Sequence, residues 1–218
     1  PEVYPDQHPL EDVLKLAQRI GVRWLRMSPY PLKSDPNEDD ERRCRERVAV
    51  VSKYGMSFHA QLGSEVPKPA ELDEFKKKLR ATLLRFKWVT PYIEIGNELN
   101  YSATGPEYVE KMLRHIDEVT REVFPECKLM TMGLGGVGKE WLDAFVAAGG
   151  MKFAEVLSVH PGSHPRAPEF WEGWRGWVFR SQMLDALEAA KKAGGKEVWI
   201  TEVYAPTAPD RTSLDVRT

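Results

Sequence analysis

The sequence has only two cysteines, Cys44 and Cys127, in 218 residues, with no metal-ligand spacing between them. A disulfide framework and a thiolate zinc site are therefore excluded. Both fall in or just after expected helices, so two unpaired thiols are expected. No apolar run approaches the roughly 20 residues needed to span a bilayer, so no membrane partner is expected. An excess of charge of one sign is missing as well. The 31 Lys plus Arg stand against 33 Asp plus Glu, a net charge of −2, and no global field gathers nucleic acid. Basic runs such as Lys76-Lys77-Lys78 sit among acids on an expected helix and read as a solvated face. Internal repeats, low-complexity stretches and an interdomain linker are all lacking. There is neither an initiator Met nor a signal leader. The chain opens at Pro1 and reads as one domain over 1–218, incomplete at both ends.

What is present is an alternation of short apolar runs and amphipathic segments. Strands are expected at Arg23–Met27, Ser57–Leu62, Tyr92–Gly96, Lys128–Gly133, Val156–His160 and Val198–Thr201. Helix-period segments lie between them. Leu10–Ile20 places Val13, Leu14, Leu16, Ala17 and Ile20 on one face, and Glu41–Tyr54 does the same with Val48, Val51 and Tyr54. Glu71–Lys87, Pro106–Val123, Lys139–Ala148 and Ser181–Ala193 complete the set, with Gly21, Gly55 and Gly194-Gly195 where helices should stop. Strand and helix units repeating every roughly 30 to 45 residues imply parallel pairing with right-handed crossovers. An open doubly wound sheet and a closed barrel both fit. Our reading is an α/β chain carrying strands two to seven of a TIM (β/α)₈ barrel, with strands one and eight supplied by further segments.

In parallel α/β folds the reactive face lies at the carboxyl ends of the strands. The polar residues that end the apolar runs are Arg26, His59 with Gln61, Asn97-Glu98, His160 and Glu202. Counting by twos from Tyr92 puts Glu94, Gly96 and Glu98 on one face, and counting from Val198 puts Ile200 and Glu202 on one face with it. Glu98 and Glu202 are then expected to meet over a common cavity. Two facing carboxylates suit glycosidic cleavage, where one donates a proton to the leaving oxygen and the other acts at the anomeric carbon. The pair needs unequal protonation, which a cation beside one of them provides. Arg26 is the expected cation, and Asn97 can bond a sugar hydroxyl without adding charge. Glu94 reads as a structural acid needing a partner such as Arg26 or His59.

These residues resemble a family. Tyr92-Ile93-Glu94-Ile95-Gly96-Asn97-Glu98-Leu99-Asn100 is similar to the strand-four motif of the clan A retaining glycoside hydrolases, where Asn-Glu carries the acid/base. Val198-Trp199-Ile200-Thr201-Glu202 is similar to their strand-seven motif, which ends in the nucleophile, and Val22–Pro29 resembles the strand-two motif that contributes an Arg. The nearest flavour is that of the β-xylosidase, α-iduronidase, heparanase-like and endoglucanase-like families. The resemblance implies a retaining O-glycosidase without metal or organic cofactor, acting on an oligo- or polysaccharide. It makes Glu98 the acid/base and Glu202 the nucleophile, with Asn97 on the sugar 2-hydroxyl, Arg26 holding Glu202 ionised, and His160 and His59 lining the site. An extracellular or periplasmic setting goes with it. Departures are Leu99 where many members have Pro, and Val159-His160-Pro161 where many have Tyr.

Phe170–Trp177 follows the sixth barrel strand and offers Trp171 as a stacking surface for sugar; the same spacing also suits packing at a helix start. Gly133-Leu134-Gly135-Gly136-Val137-Gly138 matches a dinucleotide fingerprint, the basis of a rival oxidoreductase reading. The next strand ends in His160 rather than an acid, so a glycine-rich rim loop that keeps the pocket open is expected instead. His160 and His164 have helical metal spacing, but Pro161 and Pro165 make that stretch a loop. A non-catalytic carbohydrate-binding barrel is the remaining alternative.

Overall fold

The structure, a computed structural model, describes residues 10–163 and 178–203. Trp171, His164 and the rest of the tryptophan segment lie outside the described residues. The strands are β1 (Trp24–Met27), β2 (Ser57–Leu62), β3 (Tyr92–Ile95), β4 (Lys128–Met130), β5 (Leu134–Gly135), β6 (Val156–His160) and β7 (Glu197–Ile200). The helices are α1 (Leu10–Arg19), α2 (Glu38–Lys53), α3 (Leu72–Phe86), α4 (Gly105–Tyr108), α5 (Arg114–Val123), α6 (Lys139–Ala147) and α7 (Phe179–Lys192). The chain divides into two compact units, Pro1–Ile95 with His115–Leu129, and Gly96–Arg114 with Met130–Thr218.

The first unit pairs β1 with β2 and β2 with β3, all parallel. Its apolar cluster joins Leu14 and Ala17 of α1 to Val51 and Tyr54 of α2 and to Met56 and Phe58. Leu16 and Ile20, expected on that same α1 face, are exposed instead, since only the row through Leu14 and Ala17 meets the sheet. Gly21 ends α1 at φ +82°, with the Val22 N–H donating to the Ala17 carbonyl at 2.9 Å, the backbone turn that glycine permits after a helix. Helix α2 begins three residues before its expected start. Asn37 Oδ1 accepts from the Asp39 and Asp40 N–H groups, while Asp40 accepts from the Asn37 N–H. This reciprocal cap uses Asn and Asp rather than the commoner Ser and Glu. Lys33, 2.6 Å away, and that backbone bond hold the Asp40 carboxyl down at about 2. Cys44 and Cys127 are buried and not joined in a disulfide, and burial pushes the Cys44 thiol up to about 11.

The second unit centres on β6, every residue of which is buried. Met130 pairs with Val156, Leu134 with Val159 and Gly135 with His160, while β7 pairs with β6 from Val156↔Glu197 to Val159↔Ile200, again parallel. The expected strand Lys128–Gly133 is thus formed only over Lys128–Met130, and a second piece, Leu134–Gly135, lies in the segment expected as a rim loop. The break falls at Thr131, whose hydroxyl accepts the Ser158 N–H at 2.9 Å and takes a ladder position that a carbonyl would have filled. Helices α4 and α6 meet closely because Gly105 has no side chain; a Cβ there would stand 2.7 Å from the Phe145 backbone nitrogen. Among the described residues no helix is long and apolar enough to cross a membrane.

Candidate active site

Register places the first unit's polar residues. Arg26 lies opposite His59, and Gln61 lies opposite Glu94, so all four share one face of the β1-β2-β3 sheet. Glu94 is fully buried. Its Oε1 accepts from Arg26 Nε at 2.9 Å, and Oε2 lies 3.6 Å from His59 Nε2. Burial pushes the Glu94 carboxyl up, but His59 and Arg26 beside it outweigh that, and its pKa ends below the ordinary value. Glu94 is the structural acid expected from the sequence, and it holds both of the proposed partners.

The second unit brings Glu98, His160 and Glu202 together. His160 is fully buried. Its Nδ1 stands 3.1 Å from Glu98 Oε1 and 3.7 Å from Glu202 Oε2. One oxygen of each carboxylate and an imidazole nitrogen lie within 4.8 Å of one another. Such a set could hold a divalent cation, but Nδ1 cannot donate a hydrogen bond to Glu98 and ligate a metal at once. Strand alternation does not account for this convergence. β3 ends at Ile95, Gly96 turns at φ +91°, and Glu98 sits at φ +50°, ψ +33°. Among the described residues it is the one non-glycine residue in the left-handed region. The turn is held by the Glu98 N–H on the Gly133 carbonyl at 2.8 Å. Asn100 clamps Gly135 from both sides, Nδ2 donating to its carbonyl at 2.7 Å and Oδ1 accepting its N–H at 3.0 Å. Glu202 likewise lies past the last β7 residue, Ile200, where the count by twos no longer governs.

The glycine loop supplies bare backbone to this cluster. A Cβ on Gly133 would stand 2.0 Å from His160 Nε2, and one on Gly135 would stand 2.8 Å from Glu98 Oε1. These glycines make room for protein side chains, not for the open pocket expected of them from the sequence. Gly133→Ala should push the His160 ring out of place and lower stability by about 1–3 kcal/mol, the usual effect of overpacking. Urea unfolding of the variant beside wild type measures this, and an unchanged midpoint would contradict it.

Asn97 is exposed and forms a parallel bridge with Gly133. Three participants escaped the sequence reading. Tyr101 is 62% exposed and lies beside Glu98, as both approach the Gly135 Cβ position within 2.8 Å. Burial and then the Glu98 charge push the Tyr101 phenol up. Thr201 and Ser158 support His160 from behind: Thr201 Oγ1 is 3.0 Å from Nε2 and 2.6 Å from Ser158 Oγ. An aromatic two residues beyond Asn-Glu-Leu was a usable signal for Tyr101; nothing local marks Thr201.

No family model and no curated protein matches the sequence. Solved structures do. A family 39 glycoside hydrolase from the gut symbiont Bacteroides cellulosilyticus WH2 aligns at TM-score 0.67 and 19% identity, over 92% of this chain and 47% of its own. A glucosidase from Croceicoccus marinus aligns at 0.66 and 14% identity, over 95% and 50%. A D-psicose 3-epimerase with D-tagatose, from Clostridium cellulolyticum H10, aligns at 0.52 and 14% identity, over 97% and 84%. The chain spans about half the length of the two hydrolases. The fold is that of part of a TIM (β/α)₈ barrel.

Proposed function

We propose that this chain carries the acid/base and the nucleophile of a retaining O-glycoside hydrolase. The observation that carries the reading is the approach of one carboxylate oxygen of Glu98 to one of Glu202, within 4.8 Å. Retaining enzymes need about 5 to 5.5 Å between the carboxyl groups, while inverting ones leave about 6.5 to 9.5 Å for a water. A backbone conformation held against its intrinsic preference at Glu98, and glycosidases among the fold neighbours, support it further.

In this reading a Glu202 oxygen attacks the anomeric carbon as the glycosidic bond breaks, and Glu98 gives its proton to the departing oxygen. Glu98 then takes a proton from water, the hydroxide displaces Glu202 from the anomeric carbon, and the sugar leaves with its configuration kept. Asn97 bonds the 2-hydroxyl, Trp171 offers a stacking surface, and Arg26 and His59 brace Glu94 within their own sheet. His160, with one nitrogen near both carboxylates, orients them. The substrate is an oligo- or polysaccharide, and the remaining barrel strands come from further segments.

A panel of 2-deoxy-2-fluoroglycosyl fluorides tests this in the intact protein. One member should inactivate it and leave a covalent sugar on the peptide containing Glu202. Labelling of another residue, or no labelling alongside measurable glycoside hydrolysis, would overturn the double displacement. Inclusion of EDTA examines the second reading, a metal held by Glu98, His160 and Glu202: loss of hydrolysis restored by a divalent cation favours it, and unchanged hydrolysis disfavours it.

A further inference from the structure

The hydrogen bonds behind His160 have a direction. Nδ1 lies near two carboxylate oxygens, 3.1 Å from Glu98 Oε1 and 3.7 Å from Glu202 Oε2. With Glu98 Oε1 and Glu202 Oε2 unprotonated, a bare lone pair there would face other lone pairs, so the ring proton belongs on Nδ1. In a neutral imidazole Nε2 is then an acceptor. The hydroxyl 3.0 Å from it is that of Thr201, and the backbone of Gly133 packs on the same ring edge. Thr201 has one hydroxyl proton and stands between Nε2 and Ser158 Oγ, which is 2.6 Å away. If Thr201 donates to Nε2, Ser158 must donate to Thr201. The position of Thr201 is fixed by the sheet, where its N–H donates to the Val159 carbonyl at 3.1 Å.

We propose that Thr201 is a positioning residue: its hydroxyl donates to Nε2 and holds the His160 ring with its Nδ1–H on Glu98 Oε1, which leaves the other oxygen to carry the proton for the leaving group. The lock stands on the geometry alone; its catalytic consequence rests on the reading of Glu98 as the acid/base. A carboxylic acid can hold its proton on either oxygen, and only one orientation reaches the glycosidic bond. A donor fixed on Oε1 removes that ambiguity without consuming the proton.

Long-range ¹H–¹⁵N correlation spectra of the His160 ring read the tautomer directly. Wild type should show a protonated Nδ1 and a bare Nε2. Thr201→Val should keep the proton on Nδ1 but move the Nε2 nitrogen downfield, as an acceptor that has lost its donor does, and Thr201→Ser should restore the wild-type pattern. Ser158→Ala should also keep it, because Thr201 can still donate. A wild-type ring protonated on Nε2, or on both nitrogens, overturns the lock, as does a Thr201→Val spectrum equal to wild type. In kinetics, Thr201→Val should lower kcat about ten- to a hundredfold on aryl glycosides with poor leaving groups, a part of the roughly 10²–10⁴ that general acid catalysis supplies. It should leave kcat/KM on dinitrophenyl glycosides, whose departure needs no proton, unchanged, and Thr201→Ser should recover the loss. An equal fall on both substrates overturns the role in proton delivery. If wild type hydrolyses no glycoside, the hydrolase reading fails and the spectra still decide the lock.

Discussion

Glu202→Ala is expected to lower kcat on aryl glycosides by on the order of 10⁵-fold, the scale on which an enzyme loses turnover when its nucleophile is removed. The truncation deletes the atom that would attack the anomeric carbon. It also leaves Glu98 and His160 in contact, since their 3.1 Å bond does not involve Glu202. Substrate binding should therefore persist while chemistry stops. Azide added to the variant can enter the vacated space and attack the same carbon, restoring turnover on activated substrates and giving a glycosyl azide of inverted configuration. Initial rates and the anomer of the azide product measure both effects. Turnover within tenfold of wild type would remove Glu202 from the mechanism.

The largest effect on stability should come from Glu94→Ala. Removing one partner of a buried ion pair costs about 3–5 kcal/mol, because the other charge stays buried without its partner. Here that charge is the Arg26 guanidinium, whose Nε lies 2.9 Å from the carboxylate, with His59 on the far oxygen. Urea unfolding near neutral pH measures the loss, and a change below about 1 kcal/mol, the worth of an exposed pair, would contradict it. Acid adds a signature. The folded-state pKa of Glu94 is lowered below the ordinary value of 4.5. Its contribution is therefore complete above about 4.5, and it is lost as pH falls through the lower folded value. Glu94→Gln cannot titrate, so the stability gap between it and wild type should close on acidification.

Much of this arrangement was legible in the sequence because the barrel pattern is local. Apolar runs flanked by caps such as Gly21 placed the strands and helices, and asking what ends each run singled out Glu98, His160 and Glu202. Glu94 could be assigned to Arg26 or His59 because a buried acid needs a cation. What escaped the reading depends on contacts between distant residues. The break at Thr131 comes from a hydroxyl bonding a backbone 27 residues away. Thr201 meets His160 across 41 residues, and only the β6-β7 register makes them neighbours. The left-handed turn at Glu98 was hidden for another reason: Glu rarely adopts it, so propensity argued for an extended residue. The glycine fingerprint had the opposite fault. Its spacing suited a pyrophosphate, yet Gly133 and Gly135 pack against an imidazole and a carboxylate.

The twist of the chain at position 98 has an evolutionary corollary. Holding a residue with a Cβ in that region is uphill by about 1–3 kcal/mol, and glycine would relieve it at once. Glycine discards the acidic group, while Asp, which enters that region more readily than Glu, keeps the group but draws it back by one methylene. A lineage drifting towards greater robustness would thus be drawn to sacrifice this position first, and with it the carboxylate beside His160.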